Sequence, residues 1–365
     1  MRVGLVVYGD LGATSGGFRY DRRLAAALRD AGHAVEPIEL PWRPWSAALA
    51  HNLSPRVRRR LRGYDLLVVD ELCHPSLAGV VARVDAPTVA VVHHLRSRER
   101  HPRPLRAAYR AVERRFLRGV DAALCVSEAT RRDVRALANV PTAVAPPAVD
   151  RFGDLPSRER IRERAGEDPF RIAFVGNVVP RKGLDALLRG VARLPREGWR
   201  LDAVGDLTVD PAYAERCRRL AADLSVADRT RFRGRLSDRN LAGVLARSHV
   251  LAVPSQYEGF GIVYLEGMAF GLPALATTAG GASAIVEHGE TGRLLPPDDP
   301  AALAAALRDL RDDRGRLRDR SLAARDRSEA HPSWDESMAR ARDFLRCVAN
   351  GEASTGETTA DAAGA

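Results

Sequence analysis

The chain has 365 residues, 45% of them hydrophobic and 28% charged, with a formal net charge of +10. That length suggests two domains of ordinary size with real cores, and no apolar run approaches the ~20 residues of a membrane-spanning helix. The opening MRVGLVVYGD turns polar too soon for a signal peptide, and four scattered cysteines without a C-x-x-C argue against structural zinc or a disulfide framework, so a cytoplasmic protein is expected.

MRVGLVVYG reads as a buried strand. GDLGATSGGF follows as a glycine-rich loop with Gly9, Gly12, Gly16 and Gly17, ahead of an amphipathic helix, YDRRLAAALRDAG, closed by Gly32. Such a loop before a helix can bring backbone N–H groups up to a phosphate, although the G-x-G-x-x-G fingerprint is not met. Strand patterns at AVEPIEL, YDLLVVD, PTVAVVHH, AALCVS and TAVAP alternate with helical ones, which implies a doubly wound parallel sheet. His93 and His94 follow VAVV, and Ser127 and Glu128 follow AALCV, at the carboxyl ends of strands where a ligand crevice opens. A histidine there is as often a structural hydrogen-bonder as a catalytic group.

The positive charge is concentrated in this half. Residues 1–150 hold 24 arginines against 15 acidic residues, a net of +9, whereas residues 151–365 hold 33 basic against 32 acidic, a net of +1. The densest parts are RVRRRLR at 56–62 and the segment from Arg96 to Arg118. In the latter, Leu105, Ala108, Tyr109, Val112, Phe116 and Leu117 recur at helical spacing between Arg106, Arg110, Arg114 and Arg118. A basic amphipathic helix of this kind either lies on an anionic membrane surface or packs its stripe into the core with the arginines solvated. Aromatic content of 5%, with no interleaving of basic and aromatic residues, argues against nucleic acid.

From Val149 to Pro169 the pattern breaks into a charged stretch with Pro156, Gly166 and Pro169, which reads as an interdomain connection with a short helix. A second α/β series then runs through FRIAFVG, WRLDAVGD, RTRFRG, HVLAVP, LPALATT and TGRLLPP. The expected layout is an N-terminal domain 1–150, a linker 151–169, a C-terminal domain 170–330, a helix 331–349 that crosses back to the first domain, and a disordered tail 350–365. Two such halves should leave a cleft for a ligand.

Two features of the second half carry chemistry. Of 57 lysines and arginines only Lys182 is lysine, and a compact ammonium suits a phosphate oxygen. The run PSQYEGFGIVYLEGMAFGLPALATTAGG, from Pro254 to Gly281, reads as the end of a strand, a glycine turn and a helix beginning near Gly261. It carries Glu258 in the loop and Glu266 inside the helix, so the two carboxylates need not share a face. Glutamates are ordinarily solvated. Ile262, Val263, Leu265 and Met268 leave Glu266 little solvent-facing surface.

In order, FVGNVVPRKGLDALL, AVGD, FRGRLSD, the Glu258-x7-Glu266 run and TAGGASAIVEHGETGRLLPPDDPAALAAAL resemble glycosyltransferase family 4, the retaining group 1 transferases of GT-B architecture. The first half is similar more loosely, through the Gly16-Gly17 loop, RDAGHAV, the His93 strand end and SEATRRDV, and together the resemblance spans roughly residues 1–345. It implies two Rossmann-like doubly wound domains facing a cleft and a nucleotide-sugar donor held mainly by the C-terminal domain. It implies further that Lys182 and Arg181, with backbone donors at Gly16 and Gly17, neutralise the diphosphate. Glu266 would accept from the ribose hydroxyls, and Glu258, beside Gly259, Phe260 and Gly261, would meet hydroxyls of the sugar. His93 would line the sugar at the reaction centre, with His94 as the alternate. No metal or other cofactor is expected, the acceptor being a glycan, lipid or other hydroxyl compound. The chain departs from the pattern at Asn177, where similar enzymes often carry arginine, and at APPAVD (145–150), where a glycine-containing N-G-V-D is frequent. A sugar-nucleotide epimerase or hydrolase, or a nucleotide-sugar-binding protein without activity, would share these features.

Overall fold

The computed structural model describes residues 1–12 and 16–353; the middle of the expected glycine-rich loop (13–15) and most of the expected tail (354–365) lie outside the described residues. The chain divides into two compact units, one formed by Met1–Pro147 together with the stretch from Pro332 onward, the other by Ala148–His331.

In the first unit the strands are β1 (Arg2–Tyr8), β2 (Ala34–Leu40), β3 (Leu66–Asp70), β4 (Thr88–Val92), β5 (Ala122–Cys125) and β6 (Thr142–Val144). They form one parallel sheet in the order β2-β1-β3-β4-β5-β6. Every residue of β3, β4 and β5 is buried, as uninterrupted runs such as LLVV and VAVV require when helices cover both faces. Between them lie α1 (Gly16–Asp30), α2 (Trp45–Ala48), α3 (Pro55–Arg60), α4 (His74–Leu77), α5 (Arg103–Leu117) and α6 (Glu128–Arg135). Gly16 and Gly17, expected in the loop, are the first two residues of α1.

The basic segment forms α5, but only its C-terminal half is inserted. Tyr109, Phe116 and Leu117 are buried, whereas Leu105 and Ala108 are exposed. Ser127 caps α6 in a capping box with Thr130, and Glu128 pairs with Arg131. That strand end therefore serves the helix that follows it.

The second unit opens with α7 (Arg158–Ala165), in the stretch expected to be a linker. The stretch belongs to the unit for a physical reason. Ile161 is buried, and the buried Arg164 guanidinium donates to the carbonyls of Ala246, Phe270 and Gly271 at 3.3, 2.9 and 2.8 Å. The strands β7 (Phe170–Val175), β8 (Trp199–Val204), β9 (Thr230–Gly234), β10 (Val250–Ala252), β11 (Ala274–Thr277) and β12 (Gly292–Leu295) form a second parallel sheet, β12-β11-β10-β7-β8-β9. Its helices are α8 (Leu184–Val191), α9 (Pro211–Asp223), α10 (Asp238–Arg247), α11 (Ile262–Ala269), α12 (Pro300–Asp312) and α13 (Arg314–Glu329). Arg164 thus sits at the C-terminal ends of α10 and α11, where orphan carbonyls and the helix dipoles favour a cation.

The last helix, α14 (Trp334–Ala349), returns to the first unit, where it packs on α1 and against β5 and β6. Trp334 lies 5.8 Å from Tyr20, ring to ring, and Phe344, Leu345 and Val348 are buried. No helix among the described residues is long and apolar enough to cross a membrane.

Candidate functional site

In each sheet the strand order reverses once, between β1 and β3 in the first unit and between β7 and β10 in the second. Loops leaving the carboxyl ends of such strand pairs form ligand crevices in open α/β sheets. In the second unit those loops carry Lys182, after β7, and Glu258, after β10.

The two loops are held together at close range by backbone. Gly183 has φ +71°, and a Cβ there would lie 2.3 Å from the Pro254 carbonyl oxygen, so only glycine fits beside the lysine. The Gln256 amide donates to the Arg181 carbonyl at 2.8 Å. Lys182 Nζ then donates to Glu258 Oε1 at 2.5 Å, and Ser255 Oγ to the same oxygen at 2.6 Å. Arg181 donates to Glu258 Oε2 at 3.4 Å and to the Tyr257 carbonyl at 2.9 Å. Asn177 stands exposed at the other side of this loop.

The loop after β11 fixes the Glu258 backbone. The Gly281 amide donates to the Glu258 carbonyl at 2.7 Å, and a Cβ on Gly280, at φ +91°, would lie 2.0 Å from that oxygen. Gly261 caps α11 from the left-handed region, where a Cβ would meet the Tyr264 ring at 2.6 Å. Gly259 and Phe260 complete the turn, with the Phe260 side chain buried 5.8 Å from His331. Burial by itself would raise the Glu258 pKa; Lys182 and Arg181 overcome it and bring the carboxyl down to about 2. At Lys182 burial wins instead, and its pKa is lowered despite Glu258. The cluster is a carboxylate permanently ionised at neutral pH under two cations.

Glu266 lies inside α11, 4% exposed, with Arg151 Nη1 at 3.5 Å from its Oε1; Arg151 also donates to Asp238 at 2.7 Å. Glu258 and Glu266 therefore occupy a loop and a helix, and different cations attend them. Arg151, Ser255 and the Gly280-Gly281 pair were not singled out from the sequence. The adjacent glycines following a strand, in TAGG, were the available signal.

In the first unit, His93 follows β4. Its amide donates to Glu71 Oε2 at 2.7 Å, and its Nε2 lies 3.2 Å from Asp21 Oδ1. His94 turns to Glu99, 3.0 Å away. Gly17 borders His93, since a Cβ there would touch its ring at 3.4 Å, whereas nothing lies within 4 Å of a Cβ on Gly16. Asp21, Asp70 and Glu71 are all buried around this histidine. Asp21 escaped sequence reasoning because a charge in YDRRLAAAL reads as solvated. Its spacing from Phe18, Leu24, Ala25 and Leu28 puts it on the buried stripe of α1. Ligand-type atoms of Asp21, Asp70 and His93 lie within 4.8 Å of one another, the one such group among the described residues. Within this group the imidazole is hydrogen-bonded to Asp21, and Asp70 Oδ1 accepts the Leu72 amide at 2.9 Å.

Residues 157–327 match the family model described as glycosyl transferases group 1, and residues 14–151 that described as glycosyltransferase family 4. The chain is 36% identical over 253 residues to the GDP-mannose-dependent alpha-(1-6)-phosphatidylinositol monomannoside mannosyltransferase of Mycobacterium tuberculosis, a match covering 65% of this chain and 64% of that protein. It is 33% identical over 300 residues to the MMP alpha-(1->4)-mannosyltransferase of Mycolicibacterium hassiacum, covering 78% of this chain and 71% of the relative. The chain thus spans just under two thirds of the M. tuberculosis protein. Among solved structures, sucrose-phosphate synthase from Thermosynechococcus elongatus superposes with a TM-score of 0.82 at 22% identity, covering 96% of this chain and 99% of that one. This likeness shows a common GT-B fold.

Proposed function

The chain belongs to the group 1 glycosyltransferases, and from that premise we propose that it moves a sugar from a nucleoside-diphosphate donor to a glycan, lipid or other hydroxyl acceptor, with retention at the anomeric carbon. The observation that carries this reading is the Lys182–Glu258–Arg181 cluster with Glu266 on the same strand-loop-helix unit, at the switch point of the second sheet. Transfer breaks the bond between the anomeric carbon and the diphosphate oxygen, and forms one to the acceptor oxygen, whose proton leaves with the diphosphate. Negative charge grows on the leaving group. Lys182 and Arg181 are the fixed cations proposed to stabilise it, which is the part a metal would otherwise play. Glu266 is proposed to accept from the ribose hydroxyls, displacing Arg151, and Glu258 to accept from hydroxyls of the sugar while holding Lys182 in place. Gly259, Phe260 and Gly261 keep Glu258 at that point. His93 is the residue of the first unit proposed to line the transferred sugar, with Gly16 and Gly17 lending backbone donors.

The M. tuberculosis relative is named for GDP-mannose and a phosphatidylinositol mannoside. A glycan or lipid-linked acceptor is proposed here by the same chemistry, at a cytoplasmic site on an anionic membrane surface. Supporting that location, Trp42, Leu53, Leu72 and Leu105 of the first unit are exposed, Leu53 at 83%, and so are Arg56 and Arg59, which follow Leu53 in the chain, and Arg103 and Arg106, which flank Leu105. The test is release of nucleoside diphosphate from UDP-, GDP- and ADP-sugars with and without a mannoside acceptor, followed by NMR of the new anomeric linkage. Wild type should turn over one donor, and Lys182→Ala and Glu266→Ala should each lose at least ten-fold in kcat/KM. Equal activity of the variants, or an inverted linkage, sinks the reading.

A further inference from the structure

His93 sits in an unusual concentration of acid. Asp21, from α1, is fully buried, and Asp70 and Glu71, at the end of β3, are 1% and 2% exposed. The Oδ2 atoms of both Asp21 and Asp70 are buried without a hydrogen-bond partner. The imidazole is enclosed by these groups, by the Tyr20 ring at 5.3 Å edge-on and by the backbone of Gly17. The buried Cys73 thiol lies in the field of the same three acids. Three carboxyl groups removed from water cost several kcal/mol unless charge or protons compensate them. The ring that all three act on is His93, and its Nε2 is already aimed at Asp21.

We propose that Asp21 is the positioning residue for His93, fixing its ring with Nε2–H directed into helix α1 and keeping it a cation across the neutral range. The proposal rests on the reading of His93 as the group that lines the transferred sugar. Its chemical consequence is definite: a ring held as imidazolium gives a hydrogen bond and positive charge to substrate oxygens, and does not act as a general base. The acidic surroundings support this direction. Burial would lower the pKa of the ring, and Asp21, Asp70 and Glu71 together reverse that and raise it. Burial and its Asp21 and Glu71 neighbours raise the Asp70 pKa, while His93 and the Leu72 amide act against that rise. Asp21 thus acts through His93, with no contact to substrate required.

The experiment is long-range 1H–15N NMR of the full-length protein with labelled histidine, recorded from pH 6 to 9.5, the His93 signals being assigned by their loss in His93→Gln. Wild type should show both ring nitrogens protonated at pH 8. In Asp21→Asn the ring should become neutral at a pH at least ten-fold lower in proton affinity, and Asp21→Glu should restore much of the wild-type behaviour. Should Asp21→Asn fail to fold, Asp70→Asn, which leaves the hydrogen bond in place, should shift the same titration in the same direction by less. The activity counterpart is a kcat/KM profile for Asp21→Asn that falls between pH 6 and 8 where wild type is flat. A residue that merely supports the fold would lower Tm and leave the titration where it was. A neutral His93 at pH 8 in wild type, or an unchanged titration in the Asp21 and Asp70 variants, overturns the proposal. Because the spectra need no substrate, a charged His93 whose replacement leaves transfer unaffected would count against the role of His93 instead.

Discussion

Replacing Lys182 by methionine removes the nearest cation from a carboxylate whose side chain is 8% exposed, while the methionine keeps most of the volume of the lysine stem. In the intact protein Glu258 is held at about 2, against an ordinary value of 4.5, because Lys182 and Arg181 outweigh burial. That fall corresponds to about 3 kcal/mol at 1.36 kcal/mol per decade. The burial of Lys182 takes back part of it, since its own pKa is lowered, and Arg181 remains at 3.4 Å in the variant. A net loss of about 2 kcal/mol at pH 7 is therefore expected. The pH dependence follows from the sign of the shift. A depressed carboxyl contributes stability that is fully present above about pH 4.5 and is lost as pH falls through about 2. The gap between wild type and Lys182→Met should thus be widest near pH 7 and about halved by pH 3. Urea titrations at pH 3.5, 5 and 7 measure it. Equal stability at pH 7, or a gap constant across the series, would refute the claim that Glu258 is held ionised by Lys182. A double variant with Glu258→Gln should lose less than the two single losses added, since it strands no charge.

Three further outcomes are expected. Arg164→Met leaves the Ala246, Phe270 and Gly271 carbonyls without their charged donor and should cost about 3 kcal/mol. Calorimetry should show this as a Tm lowered by about 6–12 °C for the second unit, and an unchanged Tm would mean that the guanidinium is not what ties α7 down. Gly280→Ala, at φ +91° with its new Cβ against the Glu258 carbonyl, should cost about 1–3 kcal/mol and weaken nucleoside-diphosphate binding by calorimetric titration; wild-type affinity would show that the loop can give way. Vesicles containing anionic lipid should float with the protein at low salt, less so for Leu53→Asp with Arg56→Glu, and release it at high salt. No co-flotation at low salt would remove the membrane surface from the proposal.

The strands were legible because they are buried on both faces. Runs such as LLVV and VAVV leave no polar side to present, and each one forms a strand where the pattern put it. The start of α1 was misread. Glycine is a poor helix former, and at Gly16 and Gly17 tertiary context overrode the propensity. That the short helix of 151–169 packs into the second unit was not legible: in RERIRERA one isoleucine and one arginine do the anchoring, and an arginine that packs looks the same in sequence as one that is solvated. In the second unit the spacing of Glu258 and Glu266 marked the loop and helix. That Lys182 bonds to Glu258 was beyond reach, because it depends on two loops 76 residues apart meeting at Gly183 and Pro254. The acids around His93 come from one helix and one strand end, and only the buried stripe of α1 hinted at the first.

The return of α14 to the first unit has a consequence for the order of assembly. During synthesis the residues of the second unit, 148–331, leave the ribosome as one uninterrupted block, and all six of its strands are available before Pro332 is added. The first unit is begun earlier but finished later. Until Trp334, Phe344, Leu345 and Val348 emerge, the flank formed by α1, β5 and β6 lacks its apolar cover, with Tyr20 awaiting the ring that abuts it. The half that holds His93 is thus closed by the last described helix, and a nascent polypeptide stalled just short of residue 334 has every strand of the second unit while the α1, β5 and β6 flank of the first is still uncovered.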